Sequence, residues 1–284
     1  MSAKHPWQII CFRETNIWNK EQKTKKNKMM NLSKSSNPVL KDNVFQRDYV
    51  SSSDVMTVNG TMNKTALMLL LVIAGAVFTW NKFMEGMTFS PEAAQSAIMP
   101  WLIIGGIGGF ITVLITVFRP QSSGISAPIY AIFEGVFLGG ISAMFETMYQ
   151  GIVMRAVLLT LAVFAAMLFF YRSGIIKVTR KFALGVFAAT AGIALVYFIS
   201  FIAGMFGASL GFLYGNSNLS IGISLVVVGI AALNLVLDFS FIENAAKAGS
   251  PKYMEWYGAF GLMVTLIWLY LELLRLLAKL SSRN

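Results

Sequence analysis

Long apolar stretches constrain the fold of this chain more than any other feature of its sequence. Seven of them cover residues 65–80, 98–118, 125–148, 152–171, 182–206, 219–242 and 256–280. A helix of about 20 residues crosses the roughly 30 Å hydrocarbon core of a bilayer. Only 13% of the residues are charged, whereas soluble domains carry about 25%. We therefore predict an all-α integral membrane protein, a bundle of seven transmembrane helices in contact with the lipid bilayer.

The basic residues are concentrated at the N-terminus and in the link 172–181. This distribution is typical of cytoplasmic segments of membrane proteins, so we expect a cytoplasmic N-terminus and no nucleic-acid partner. Residues 1–64 are predicted to be a largely disordered tail, with residues 1–28 an extension upstream of a start at Met29 or Met30. Seven spans then place the C-terminus outside, although Lys279 and Arg283 favour the inside; a re-entrant last segment is the alternative.

The scarcity of histidine and cysteine excludes several kinds of chemistry. Cys11 and His5 are the only residues of their types, and both lie in the predicted tail. A disulfide within the chain, a zinc site in the membrane and a histidine-dependent hydrolase therefore have no ligands or base. No lysine lies in the middle of the last span to form a Schiff base with retinal. We expect neither an enzyme nor a bound cofactor.

Three of the carboxylates inside the predicted spans are the candidate functional residues. An acid at the centre of a membrane helix costs about 2.5–3.5 kcal/mol on insertion scales, so Asp238, Glu134 and Glu272 should face protein or water. Asp238 is expected about 7 Å from the cytoplasmic end of its helix, with Asn234 one turn away as a hydrogen-bond partner. Glu272 is expected to pair with Arg275. A purely structural role remains the alternative for each acid.

Small residues spaced four apart predict close packing between helices. Gly105 and Gly109 form such a pair in the second span. The third span carries a longer stripe, made of residues 127, 131, 135, 139 and 143. Small side chains allow helix backbones to approach closely in lipid, so we interpret both patterns as packing surfaces.

Several short motifs occur in an order that resembles the Bax inhibitor-1/YccA family, in particular its bacterial branch. They are Ser-Asn-Pro-Val at 36–39, Tyr-Ala-Ile-Phe-Glu-Gly at 130–135, the Asp238 to Ile242 step, Ala-Gly-Ser-Pro-Lys-Tyr-Met-Glu-Trp-Tyr at 248–257 and Leu-Tyr-Leu-Glu-Leu-Leu-Arg-Leu-Leu at 269–277. The resemblance covers residues 65–280 and the short tail motif. It implies a seven-helix fold in the bacterial cytoplasmic membrane.

The resemblance also implies a function. Members of the family are pH-sensitive calcium leak channels whose closed state is held by a pair of aspartates on the last two helices. The first aspartate falls on Asp238, but the second falls on Thr265, so one carboxylate is missing here. Arg119 matches a basic residue that contacts the first aspartate in relatives. Some bacterial relatives bind and restrain a membrane-anchored AAA protease.

We therefore predict a pH-sensitive Ca²⁺ leak channel, or a regulator of ion homeostasis, in which Asp238 closes the inner end of a pathway. Ca²⁺ is the expected permeant ion, and Asp238, Glu134 and Asn234 are expected to offer it oxygen ligands. One alternative is a modulator of a membrane-anchored AAA protease. The other is a proton-coupled transporter, although the paired repeats with broken helices that mark such proteins are not visible in the sequence.

Overall fold

The computed structural model of the protein describes residues 55–207, 213, 215 and 217–283, so positions 1–54 of the predicted tail lie outside the described residues. Seven long helices follow one another: α1 Val58–Met87, α2 Pro91–Phe118, α3 Ser123–Met148, α4 Ile152–Arg172, α5 Arg180–Met205, α6 Asn218–Lys247 and α7 Met254–Ser281. Each is long and apolar enough to cross a membrane. The predicted class, an all-α bundle of seven transmembrane helices, is confirmed.

The first helix begins earlier than the sequence suggested. α1 begins at Val58, not at residue 65, because Thr57 caps it: the Thr57 hydroxyl accepts a hydrogen bond from the Gly60 amide at 3.0 Å. Lys64, which looked like part of a polar tail, pairs with Glu255 at 2.5 Å. The boundary of the predicted tail at residue 64 is therefore wrong by about two helical turns.

Two other helix ends also differ from the prediction. α2 begins at Pro91 because Ser90 caps it, with the Ser90 hydroxyl accepting from the Ala93 amide at 3.0 Å. Proline at the first helical position suits this start. α6 continues to Lys247 instead of ending near residue 242. As a result, Asp238 lies about 14 Å from the end of α6, not about 7 Å.

The helices pack around α3, α6 and α7. α3 packs on α1 and α2, α7 packs on α1, α3, α4 and α6, and α5 packs on α6. α7 is the most buried of the seven spans and α5 the least. Large apolar side chains such as Leu70, Phe110 and Phe198 remain exposed on the outer faces. Because these helices cross a membrane, these faces contact lipid.

The predicted small-residue surfaces are confirmed as sites of close backbone contact. An added Cβ at Gly135 would lie 2.3 Å from the Val72 carbonyl oxygen, and one at Gly139 would lie 2.2 Å from that of Ala76. At Gly105 it would lie 2.8 Å from the Phe133 carbonyl oxygen. α3 therefore approaches both α1 and α2 through backbone surfaces that tolerate no side chain.

We expect the substitution Gly139→Ala to destabilise the protein by about 1–3 kcal/mol, because the added methyl group would separate α3 from α1. Gly185→Ala in α5 is the matched control, since nothing lies within 4 Å of its added Cβ. Thermal unfolding in detergent compares the two variants. Equal melting temperatures for them would contradict the close contact.

Candidate functional site

We define the two ends of the bundle by the first helix. The proximal end is the one at which α1 begins, and the distal end is the opposite one. The Glu255 side chain at the start of α7 bonds Thr57 just before α1, and the Ser123 hydroxyl at the start of α3 donates to the Tyr253 carbonyl at 2.9 Å. α1, α3 and α7 therefore all begin at the proximal end.

Polar residues line the contact between α6 and α7 over most of its length. On α7, Thr265, Glu272 and Lys279 are spaced by seven residues, so they lie on one face about 10 Å apart along the axis. We call the set the polar seam; its members are Asp238, Ser220 and Ser224 of α6, Thr265, Glu272, Arg275 and Lys279 of α7, and Tyr197 of α5. The seam reaches from the proximal half of the bundle to its distal end.

Asp238 lies in the proximal half of the seam. Its Oδ2 atom is buried and has no hydrogen-bond partner. Thr265 of α7 is the polar neighbour that interacts with its side chain. Leu235, Phe239 and Leu262 belong to the apolar cluster of the same region. Because a buried carboxylate oxygen without a donor is costly in such surroundings, a proton or a cation at Oδ2 is favoured.

The predicted bond between Asn234 and Asp238 is not formed. The Asn234 amide donates to the Thr190 hydroxyl of α5 at 2.8 Å and to the Ile230 carbonyl at 2.9 Å. The side chain is therefore directed towards α5 and its own helix. The Asn234 amide therefore links α5 to α6 and does not donate a hydrogen bond to Asp238.

Arg119 does not reach Asp238 either. It is exposed at the end of α2, and α2 packs on α1 and α3. Asp238 takes part in no ion pair among the described residues. The contact implied by the resemblance is therefore absent from this structure.

Glu134 lies at the interface between α2 and α3, whereas Asp238 lies at the interface between α6 and α7. Its Oε2 atom is 3.0 Å from the position that a Cβ at Gly109 would take, and it interacts electrostatically with Tyr130. The described part of the chain has no group of three or more His, Cys, Asp or Glu side chains placed to hold a metal ion. The predicted shared oxygen ligands of Asp238, Glu134 and Asn234 are therefore not assembled.

The expected pair of Glu272 and Arg275 is present in the distal half of the seam. Arg275 Nη1 lies 3.0 Å from Glu272 Oε1, although Glu272 is only 1% exposed. The Tyr197 hydroxyl donates to Glu272 Oε1 at 2.8 Å and accepts from Arg275 Nη1 at 2.8 Å. The carboxylate and the guanidinium neutralise each other, and Tyr197 joins the pair to α5.

Lys279 is the seam residue whose environment the sequence did not reveal. It is 5% exposed, and its Nζ donates to the Leu213 carbonyl at 2.6 Å, to the Ser224 hydroxyl at 2.8 Å and to the Ser220 carbonyl at 3.3 Å. Lys279 is therefore not an exposed charge at the membrane surface, as was assumed when the side of the C-terminus was predicted. The sequence did contain a signal, because a spacing of seven residues places Glu272 and Lys279 on the same face of α7.

Glu255 is a second buried charge that sequence reasoning missed, since it was assigned to a polar link. It is 1% exposed and accepts from the Thr57 amide and hydroxyl at 2.9 Å each. Lys64 and Lys252 pair with it at 2.5 and 2.9 Å. The Met56 amide also donates to the Ser250 carbonyl at 2.8 Å. The residues before α1 are thereby fastened to the start of α7.

The fold and the seam define a multi-pass membrane protein with buried charges between its last two helices. A family model described as "Bax inhibitor 1 like" matches residues 14–282. The chain therefore belongs to the Bax inhibitor 1-like family, as its motifs predicted. No curated protein and no solved structure gives a significant match.

Proposed function

We propose that this protein is a pH-sensitive cation leak channel with Ca²⁺ as its permeant ion, and that Asp238 controls passage along the polar seam. The observation that supports this proposal is the buried Oδ2 atom of Asp238, which has no hydrogen-bond partner. Asp238 belongs to α6 and interacts with Thr265 of α7, and these two helices pack against each other. Its occupancy by a proton or a cation therefore affects how these helices fit together.

The ionisation of the Asp238 carboxyl determines whether the flux rises or falls with pH. In the neutral form, Asp238 is compatible with the apolar side chains around it, and α6 and α7 stay closely packed. In the ionised form it attracts cations and water, since Ca²⁺ prefers oxygen ligands. Thr265 supplies a hydroxyl where relatives are expected to have a second acid, so no other carboxylate shares the proton. The flux is therefore higher at alkaline than at acidic pH.

The direct test is Ca²⁺ entry into liposomes that contain a calcium-sensitive dye and the full chain. We expect protein-dependent entry at about pH 8 that falls severalfold at about pH 5, because the ratio of ionised to protonated carboxyl changes about tenfold per pH unit. Protein-free liposomes give the background. Entry equal to this background at both pH values would contradict the proposed function.

Restraint of a membrane-anchored protease is a second candidate, supported by a different observation. The Met56 amide and the Glu255 carboxylate fasten the residues before α1 to the start of α7. A partner that binds the N-terminal segment would therefore act directly on the helix that lines the seam. Co-purification with such a protease, lost on deletion of residues 31–54, would support this candidate; unchanged co-purification would contradict it.

A further inference from the structure

We propose that the ammonium group of Lys279 is a tethered cation that restricts the passage of cations at the distal end of the polar seam. This inference rests on the proposed function, because it assigns a second control point to the same path. Asp238 then acts in the proximal half and Lys279 at the distal end.

Oxygen atoms surround the ammonium group of Lys279. Two backbone carbonyls and one hydroxyl converge on Nζ at 2.6–3.3 Å. Carbonyl oxygens that replace a hydration shell are what a dehydrated metal cation requires in a channel. In this protein the cation in that position is covalently attached to α7, so it competes with a permeating ion for these oxygens and cannot itself permeate.

In the part of the chain that the structure describes, the charge of Lys279 is not neutralised by an ion pair. The pair of Glu272 and Arg275 is internally neutral, and no carboxylate lies within 4 Å of Lys279 among the described residues. The link 206–218, which leads into α6, contains no acidic residue at all. A cation that approaches along the seam therefore meets a positive charge that forms no ion pair among the described residues, and charges repel more strongly in surroundings of low dielectric constant.

Lys279 is placed at the distal end of the seam, where α6 and α7 meet. Lys279 lies in the last turn of α7, and its hydrogen bonds cross to α6 and to Leu213, which precedes α6. It shares one face of α7 with Thr265 and Glu272. The seam therefore has an unpaired acid in its proximal half and an unpaired base at its distal end. This arrangement predicts that cations are attracted into the seam at Asp238 and slowed at Lys279.

The test compares Ca²⁺ flux through the wild type and Lys279→Met in liposomes. We expect the variant to conduct about tenfold faster, because one unit of like charge is removed from the path. Arg283→Gln is the control: Arg283 lies two residues beyond the end of α7 and is exposed, with Nη1 bonded to the Asn218 side chain at 2.6 Å. Its flux should match that of the wild type.

A chemical rescue separates loss of charge from loss of folding. Lys279→Cys is made in a Cys11→Ser background, so that it carries the one thiol of the chain. We expect its raised flux to return towards the wild-type value after reaction with an ethylammonium thiosulfonate reagent. The uncharged methyl reagent should leave the flux raised. Equal effects of the two reagents would overturn the inference.

The outcomes distinguish the inference from the proposed function. Flux in the wild type that Lys279→Met does not increase overturns the inference alone. Flux in Lys279→Met but not in the wild type supports the inference and overturns the proposal that the unmodified chain leaks Ca²⁺. Absence of flux from both proteins overturns both, since there is then no path for Lys279 to restrict.

Discussion

Ca²⁺ flux through Asp238→Asn is expected to be the same at about pH 5 and about pH 8, whereas flux through the wild type falls severalfold over this range. Asparagine has nearly the shape of aspartate but cannot ionise, so α6 and α7 keep one packing state. The flux of the variant should stay near the low value of the wild type at acidic pH. Calcium-dye liposomes with matched protein content provide the measurement.

Glu134→Gln is the matched control for this prediction. It also replaces an acid within the membrane by its amide, but Glu134 faces Gly109 of α2 and lies outside the polar seam. We expect it to keep the pH dependence of the wild type. If Asp238→Asn instead shows the wild-type profile, Asp238 does not control the path. The same conclusion follows if both variants lose the pH dependence equally.

The largest loss of stability is expected for Glu255→Ala. Its carboxylate is 1% exposed and holds Thr57, Lys64 and Lys252. Removing one partner of a fully buried ion pair costs about 3–5 kcal/mol; we expect about 2–3 kcal/mol here, because Lys64 and Lys252 are 18% and 47% exposed and water can solvate their charges. The residues before α1 should also detach from the start of α7. Thermal unfolding in detergent measures the first effect, and limited proteolysis near Met56 measures the second.

Glu85→Ala tests whether this loss depends on burial. Glu85 pairs with Lys82 at 2.8 Å, but the two side chains are 65% and 41% exposed. Pairs of this kind contribute about 0–1 kcal/mol, so the free energy of unfolding should hardly change. A loss of stability for Glu255→Ala no greater than that for Glu85→Ala would show that the cluster around Glu255 does not hold these segments together.

The class of fold was predictable because the bilayer demands long apolar helices, and seven such stretches stand out in the sequence. The helix ends were less predictable, since Thr57 and Ser90 cap helices whose first turns are polar. A search for apolar stretches therefore places the starts of these helices too late in the sequence. The dipeptide Ser90-Pro91 was a usable signal for the start of α2, because serine caps helices and proline suits the next position.

The partners of the candidate site residues were predictable only within one helix. The pair of Glu272 and Arg275 follows from their spacing of three residues. Asn234 had the same kind of relation to Asp238, yet its amide is taken by Thr190 of α5. The oxygens around Lys279 likewise come from other segments of the chain. Such contacts depend on how helices rotate against each other, which hydropathy does not determine.

Infrared difference spectroscopy of the reconstituted protein tests most directly whether Asp238 exchanges a proton within the seam. Spectra at about pH 5 and about pH 8 are subtracted for the wild type and for Asp238→Asn. We predict a protonated-carboxyl band that appears at acidic pH in the wild type and is missing from the variant. Identical difference spectra for the two proteins would show that the proton occupancy of Asp238 does not change, and would contradict the proposed control of the seam.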